Sequence, residues 1–250
     1  MSVLLQISRR AVWGPNLTAF ERYPRKWGTR SSHQLVLSIV GRCEGKRALD
    51  IGCARGHLLD ELSSRGWSCI GIDSDPSDVA ICRSKGLSVL EMNLAAEVPL
   101  NLGCFDLVIL ADVLEHFAEP ERLLESLHKI LNPGATIVVS VPNIAHISVR
   151  LQLLIGRFRY TSRGILDRTH VRFFTKQSIM ECLIASGFGI RQSLSSAVPL
   201  ELVWPAIAKF RIGRLFSQFN DLLPILWRGG FTYQFIVEAQ PRTDLGDPPI

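Results

Sequence analysis

The run Arg47-Ala-Leu-Asp-Ile-Gly-Cys-Ala-Arg-Gly-His57, followed by Cys69-Ile-Gly-Ile-Asp73, decides the fold of this chain. It reads as a short apolar strand, a tight turn of small residues, a helix, and a second strand ending on a carboxylate. Such a unit sets backbone N–H groups and one acidic side chain around a nucleoside-like ligand at the rim of an open α/β sheet. A dinucleotide fingerprint would read G-x-G-x-x-G. Here the turn is Gly52-Cys53-Ala54-Arg55-Gly56-His57, with Ala54 at the second glycine position and His57 at the third. Asp50 precedes the first glycine, and Asp73 follows it by 23 residues. Asp73 has a bland alternative as cap of the helix that starts at Pro76, but Asp75 is better placed for that task.

Outward from this unit, strands and helices alternate. Ser31 to Cys43 predicts a helix capped by Ser31 or Ser32. Strands are expected at Arg47–Ile51, Ser68–Asp73, Leu87–Met92, Phe105–Leu110 and Ala135–Ser140. Helices are expected over Gly56–Arg65, from Pro76 to near Gly86, and from Pro120 to the Asn132-Pro133-Gly134 turn. That order implies right-handed crossovers and a parallel sheet. Beyond Pro142 the reading is a helix over Ile144–Phe158, a loop to Phe174, and a helix from Thr175 to Gly187. It continues with a strand over Phe188–Leu194, an amphipathic helix over Trp204–Phe219, a strand over Phe231–Ala239 and a disordered tail from Pro241.

Composition narrows the class. The chain of 250 residues suits one α/β domain with additions, and a net charge of +5 is too modest to argue for nucleic acid. Six cysteines without C-x-x-C spacing read as buried thiols in a reducing compartment. No apolar run approaches a membrane span. Residues 1–30 read as a leader ahead of a domain over 31–240, with 241–250 as the tail, in a cytoplasmic protein.

The Asp50–Gly56 turn resembles motif I, (D/E)-x-G-x-G-x-G, of the class I S-adenosylmethionine-dependent methyltransferases, with Ala54 a small departure at the middle glycine. Asp106-Leu-Val-Ile-Leu-Ala-Asp-Val-Leu-Glu-His116 resembles their fourth motif, and Leu131-Asn-Pro-Gly-Ala135 the turn before their fifth strand. Ile165-Leu-Asp-Arg-Thr-His-Val-Arg-Phe-Phe-Thr175 is similar to a D-R-T-H-x-R-F-F segment of bacterial methyltransferases that serve cell-surface glycan and natural-product pathways. Tyr233-Gln-Phe-Ile-Val237 matches their last strand. The resemblance implies a Rossmann-like, mostly parallel seven-stranded α/β sheet with helices on both faces and its last strand antiparallel. It also implies S-adenosyl-L-methionine as cofactor. Asp50, Gly52, Cys53 and Gly56 would shape the turn under its methionine part. Asp73, with Ser74 after it, would hold the ribose, Asn93 and Leu94 would flank the adenine, and Ala111 and Asp112 would lie beside the sulfonium. A turn with no arginine–lysine fork suits a zwitterion better than a pyrophosphate.

Methyl transfer to a hydroxyl needs an aligned nucleophile and a base. Among six histidines, His116 and His170 are the candidates, with His146 a third at the same sheet edge. His33, His57 and His128 fall on helices elsewhere. Asp112, Glu115 and His116 together raise a divalent-cation reading. The favoured alternative is a carboxylate that positions the cofactor beside a helix-start glutamate, with no metal. Residues 150–176 carry seven cations against Asp167 alone, which suits phosphate or carboxylate on a substrate, although arginine stems over a solvated face explain most of them. Segments 150–176 and 197–228 are read as substrate-side or lid segments. The helix at 204–219 is a candidate for peripheral membrane contact, with core packing the plainer account.

The expectation is a methyltransferase acting on a small-molecule or glycan acceptor, phosphate-bearing or lipid-linked, most readily at oxygen. A catalytically idle cofactor-binding homologue is the first alternative. An RNA or protein methyltransferase ranks below it, since no aromatic-basic platform is present.

Overall fold

The computed structural model describes residues 30–94, 98, 100–198, 220, 222, 224 and 227–242. Within them the elements are α1 Ser32–Ile39, β1 Arg47–Ile51, α2 His57–Ser64, β2 Ser68–Asp73, α3 Pro76–Ser84, β3 Val89–Glu91, β4 Phe105–Ala111, α4 Pro120–Leu127, β5 Leu131–Pro142, α5 Ile147–Leu154, α6 Lys176–Ala185, β6 Phe188–Ser195, α7 Arg228–Phe231 and β7 Gln234–Pro241. Single 3-10 turns at Leu114–His116 and His128–Ile130 follow β4 and α4.

The seven strands form one sheet in the order β3-β2-β1-β4-β5-β7-β6. β1 pairs in parallel with β2 and β4, and β4 with β5. β7 runs antiparallel to both β5 and β6, so it is the one reversed strand of the sheet. The expected architecture is therefore present.

Period-two alternation explains the layering. On β4, Val108 and Leu110 enter a cluster with Leu123, Leu127, Ile179 and Phe188, beneath α4 and α6. Leu107 and Ile109 face the other way, into a cluster with Val36, Leu58 and Leu62 of α1 and α2. Both faces of the central strands are buried, as parallel sheets require. Asp106 braces the start of β4: its carboxylate accepts from the Arg47 amide at 2.9 Å and from Asn132 Nδ2 at 3.0 Å. Those bonds hold its pKa below the usual carboxylate range.

The caps set several boundaries. Ser31 accepts from the Gln34 amide, Asp75 from the Ser77 amide ahead of Pro76, and Thr175 forms a capping box with Ser178. Some boundaries differ from expectation. The first helix stops at Ile39, and the helix from Pro120 stops at Leu127, then tightens into a 3-10 turn. Leu131–Ala135 is not a turn before β5 but its opening, paired at Leu131 with Phe105 across a register shift. The helix expected over 144–158 is only Ile147–Leu154. The Asn143 side chain holds the Ala145 amide and the Thr232 carbonyl, so residues 143–146 turn first, and Gly156 at φ +70° ends the run. β7 begins at Gln234, not Phe231, and keeps Pro241, expected in the tail, paired with Phe188. The cysteines are free, and Cys53, Cys82 and Cys182 are buried, but Cys104 is exposed. Most of the 1–30 leader and of the 241–250 tail, and the whole 204–219 helix, lie outside the described residues. No described helix is long and apolar enough to cross a membrane.

Candidate functional site

β1, β4 and β5 end side by side at the carboxyl edge of the sheet, and the candidate residues gather there. After β1, the Gly52 and Cys53 amides both donate to the Ile72 carbonyl, at 2.8 and 3.1 Å. This stitches the turn onto β2. Gly52 sits at φ +71°, and a Cβ there would stand 2.7 Å from Val113 Cγ2. Only glycine leaves that space open. Gly56, at φ +72°, would drive a Cβ into Leu87. Ala54 adopts φ +44°, a left-handed conformation that glycine, present at this place in the motif it resembles, takes without cost.

Asp73 ends β2, half-buried. Its carboxylate accepts from the Ala54 amide at 2.7 Å and from the Asp75 amide at 2.9 Å. Asp75, not Asp73, caps α3. Asp73 is thus not idle: each oxygen holds one backbone N–H and keeps a lone pair for a further donor. Ser74 beside it is exposed. Arg55, the one cation of the turn, lies 3.3 Å from Asp78 in a buried ion pair, which keeps its charge local.

Asp50 is 1% exposed, and neither carboxylate oxygen has a hydrogen-bond partner. Burial, with the Asp73 charge next, pushes its pKa up to about 8. A buried, unpartnered carboxylate behind a glycine turn is the complement of an ammonium group. Cys53 is buried, and its thiol pKa is raised chiefly by that burial, so it acts as packing and not as a nucleophile. Past β3, Asn93 is exposed and Leu94 buried, so a polar and an apolar residue stand at the strand's exit.

Ala111 closes β4, and Asp112 follows at φ +59°, a left-handed conformation that is costly away from glycine. Its amide donates to the Ser140 carbonyl at 3.1 Å. Its Oδ1 accepts from Ser140 Oγ at 3.0 Å and, through a short bond, from Gln234 Nε2. The neighbouring Tyr233 is half-buried, and desolvation of its hydroxyl, together with the Asp112 charge, pushes its pKa to about 12. Gln234, Ser140 and Tyr233 escaped the sequence reading. Gln234 lies 122 residues from Asp112, and its only signal was its place in the last-strand motif.

His116 and His170 do come together. Their rings meet edge to face with centroids 5.0 Å apart. His116 Nδ1 lies 3.2 Å from the Thr169 carbonyl, and His170 Nδ1 3.1 Å from the Ile165 carbonyl. A carbonyl only accepts, so each Nδ1 carries the proton and each Nε2 keeps a lone pair. His170 Nε2 stands 4.0 Å from the buried Glu115 carboxylate. Burial, and then His116, lower the His170 pKa, which keeps that ring neutral. The loop is moored to the same 3-10 turn: the Val171 and Arg172 amides donate to the Glu115 carbonyl at 2.9 and 3.0 Å.

His146 is instead a helix cap, accepting from the Ser148 amide, with its pKa lowered by burial to about 4. His128 stacks on Phe188 far from this edge. The cation trio drawn from sequence is not the one assembled. Asp112 turns to Ser140 and Gln234, while the donor atoms of Glu115, His116 and His170 lie within 4.8 Å of one another.

The comparisons fit this geometry. A family model described as a methyltransferase domain matches residues 20–193. A probable S-adenosylmethionine-dependent methyltransferase of Mycolicibacterium smegmatis is 28% identical over 65% of this chain and 60% of its own length. A ubiquinone biosynthesis O-methyltransferase of Pseudomonas aeruginosa is 32% identical over 51% of this chain and 62% of its own. The chain thus spans about 60% of the length of these curated relatives. The fold is also that of the magnesium protoporphyrin IX methyltransferase of Synechocystis PCC 6803 with bound SAH. That match has a TM-score of 0.57 and 20% identity, over 84% of this chain and 83% of that one.

Proposed function

This chain belongs to the methyltransferase-domain family, and on that footing we propose that it transfers a methyl group from S-adenosyl-L-methionine to a small-molecule acceptor, at oxygen. One observation carries the reading: a carboxylate-clamped glycine turn, a partnerless buried Asp50 and a strained Asp112 converge where β1, β2 and β4 end. The residues fit the cofactor. Asp50 would face its ammonium group, and the turn at Gly52 leaves room for backbone approach. Asp73 and Ser74 would take the ribose, Asn93 and Leu94 the adenine, and Ala111 and Asp112 the neighbourhood of the sulfur. When bound, the cofactor supplies a methyl carbon already activated by positive sulfur.

The protein's own work is then alignment and proton removal. Gln234 and Ser140 fix the Asp112 carboxylate against β4 and β5, which holds charge steady next to the transferring group. His116 is exposed with its Nε2 lone pair available, so it is the base for an acceptor hydroxyl. His170 is a positioning residue that fixes the His116 ring by edge contact. The activated carbon needs no Lewis acid, so the Glu115–His116–His170 cluster is read as proton-handling. A glycan acceptor is the alternative; of the D-R-T-H-x-R-F-F loop's arginines Arg172 is held by Glu121, which leaves Arg168 as the exposed cation for it.

Calorimetry with S-adenosylmethionine and S-adenosylhomocysteine tests the cofactor claim. Heat of binding to both is expected, and none at millimolar ligand removes the proposal. Labelled methyl donor with candidate acceptors then separates an enzyme from an idle binder.

A further inference from the structure

α5 is built inside out. Of its eight residues only Val149 is buried. Leu151 is 55% exposed, Leu154 81% and Ile155 63%, and these positions share one helical face. Farther along the chain Phe158 is 43% exposed and packs edge to face on Tyr160, which is 54% exposed. The inner side of the segment rests on a small separate cluster of Val149, Ile165 and Leu166. Single exposed leucines need no explanation, but a contiguous apolar face does.

The charge along this stretch of chain is nearly all of one sign. Arg157, Arg159, Arg163 and Arg168 are all exposed on the same stretch. Arg157, Arg159 and Arg168 make no ion pair among the described residues. The only acid between residues 144 and 175 is Asp167, whose carboxylate is occupied by the Thr169 amide and hydroxyl. Apolar side chains that protrude, followed in the chain by exposed guanidinium groups, match a fluid apolar medium under a layer of phosphates. A folded protein partner would need a pocket shaped for Leu154.

We propose that α5 and the segment to Val171 dock this protein on an anionic lipid bilayer, with Leu151, Leu154, Ile155 and Phe158 entering the acyl boundary and the arginines taking lipid phosphates. The docking stands without the methyl-transfer reading. What rests on that reading is a consequence for the substrate. The same loop carries the Thr169 carbonyl that orients His116, and Gly164 lies against the Tyr233 hydroxyl next to Asp112. The candidate site therefore opens beside the docked face, and its acceptor is an amphiphile drawn from the membrane surface.

The test is co-sedimentation of the full chain with vesicles of phosphatidylcholine alone and of phosphatidylcholine containing phosphatidylglycerol. Binding to the anionic vesicles is expected, weakened by salt. The neutral double substitution Leu154→Ser with Ile155→Ser should lower partitioning at least tenfold. Arg157→Gln with Arg159→Gln should lower it about as much and flatten the salt dependence. Lys46→Gln with Lys129→Gln, at the opposite edge of the sheet, should change it little. Equal binding to both vesicle types, no binding to either, or indifference to the serine pair overturns the proposal. So does a large loss of thermal stability in the serine pair, because the face is then covered by the chain itself. Calorimetry with S-adenosylhomocysteine on the same variants reads the cofactor site separately.

Discussion

The amide of Ala54 and the carboxylate of Asp73 meet at 2.7 Å, and this contact joins the turn after β1 to the end of β2. The acid proposed to take the ribose therefore also fixes the shape of the turn proposed to lie under the methionine part. Asp73→Ala should weaken S-adenosylhomocysteine binding at least tenfold by calorimetry. It should also cost about 1–3 kcal/mol in denaturant unfolding, because two backbone amides lose an acceptor. Unchanged affinity would remove Asp73 from the site.

Ala54 itself is strained at φ +44°. Ala54→Gly relieves a left-handed penalty of about 1–2 kcal/mol and gives back roughly 0.4–1 kcal/mol through a freer unfolded chain. A small net gain, seen as a raised thermal midpoint, is expected. A clear loss would mean that the alanine methyl packs usefully.

Asp50 gives a pH signature. Its folded pKa, about 8, lies above the unfolded value, so between about pH 4 and pH 8 the folded state holds a proton that the unfolded state has shed. Stability from this group is present below about pH 4 and declines as pH rises through 8. Asp50→Asn should flatten that slope in urea melts taken across the range. If Asp50 pairs with the cofactor's ammonium, binding at pH 7 should release a proton. Titrations in buffers of different ionisation enthalpy read this directly, and the asparagine variant should release none.

His116→Ala should lower turnover by about 10²–10⁴ while cofactor affinity stays within twofold. His170→Ala should act more mildly and shift the pH profile, since it orients His116 without touching the acceptor. His146→Ala should spare turnover and cost about 1 kcal/mol of stability as a lost cap. Full turnover in both His116→Ala and His170→Ala would end the base assignment.

The cluster of Glu115, His116 and His170 also defines what a chelator should do. Turnover in the presence of EDTA is expected to match that without it. Loss of activity restored by a divalent cation would convert these three side chains into metal ligands.

The first strand, its turn and the second strand were legible because each step is local: apolar run, small residues, helix periodicity, carboxylate. His116 and His170 were each named from sequence as a candidate base, one after the fourth strand and one in the 168–170 loop, but not as neighbours. Their orientation was not, because it comes from the carbonyls of Thr169 and Ile165 in a loop without regular period. Asp112 was placed, but Gln234 was not joined to it, since nothing local announces a bond across 122 residues. The late start of α5 was missed for a related reason: the Asn143 side chain is fixed by the Thr232 carbonyl, 89 residues away. Its outward face was missed because apolar spacing at Leu151, Leu154 and Ile155 reads the same whether a helix faces the core or the outside.

The reversed strand β7 lies between β5 and β6, yet it is the last of the seven to leave the ribosome. Until it arrives, β5 has one open flank and β6 has no neighbour. Gln234 arrives with it, so Asp112, already within reach of Ser140 Oγ, gains its second side-chain donor only at that moment. On the proposed reading, synthesis delivers the nucleoside side of the pocket first and the methyl side last. A nascent chain stalled before Gln234 would then hold the proposed ribose acid Asp73 in place while Asp112 still lacked the amide that fixes it.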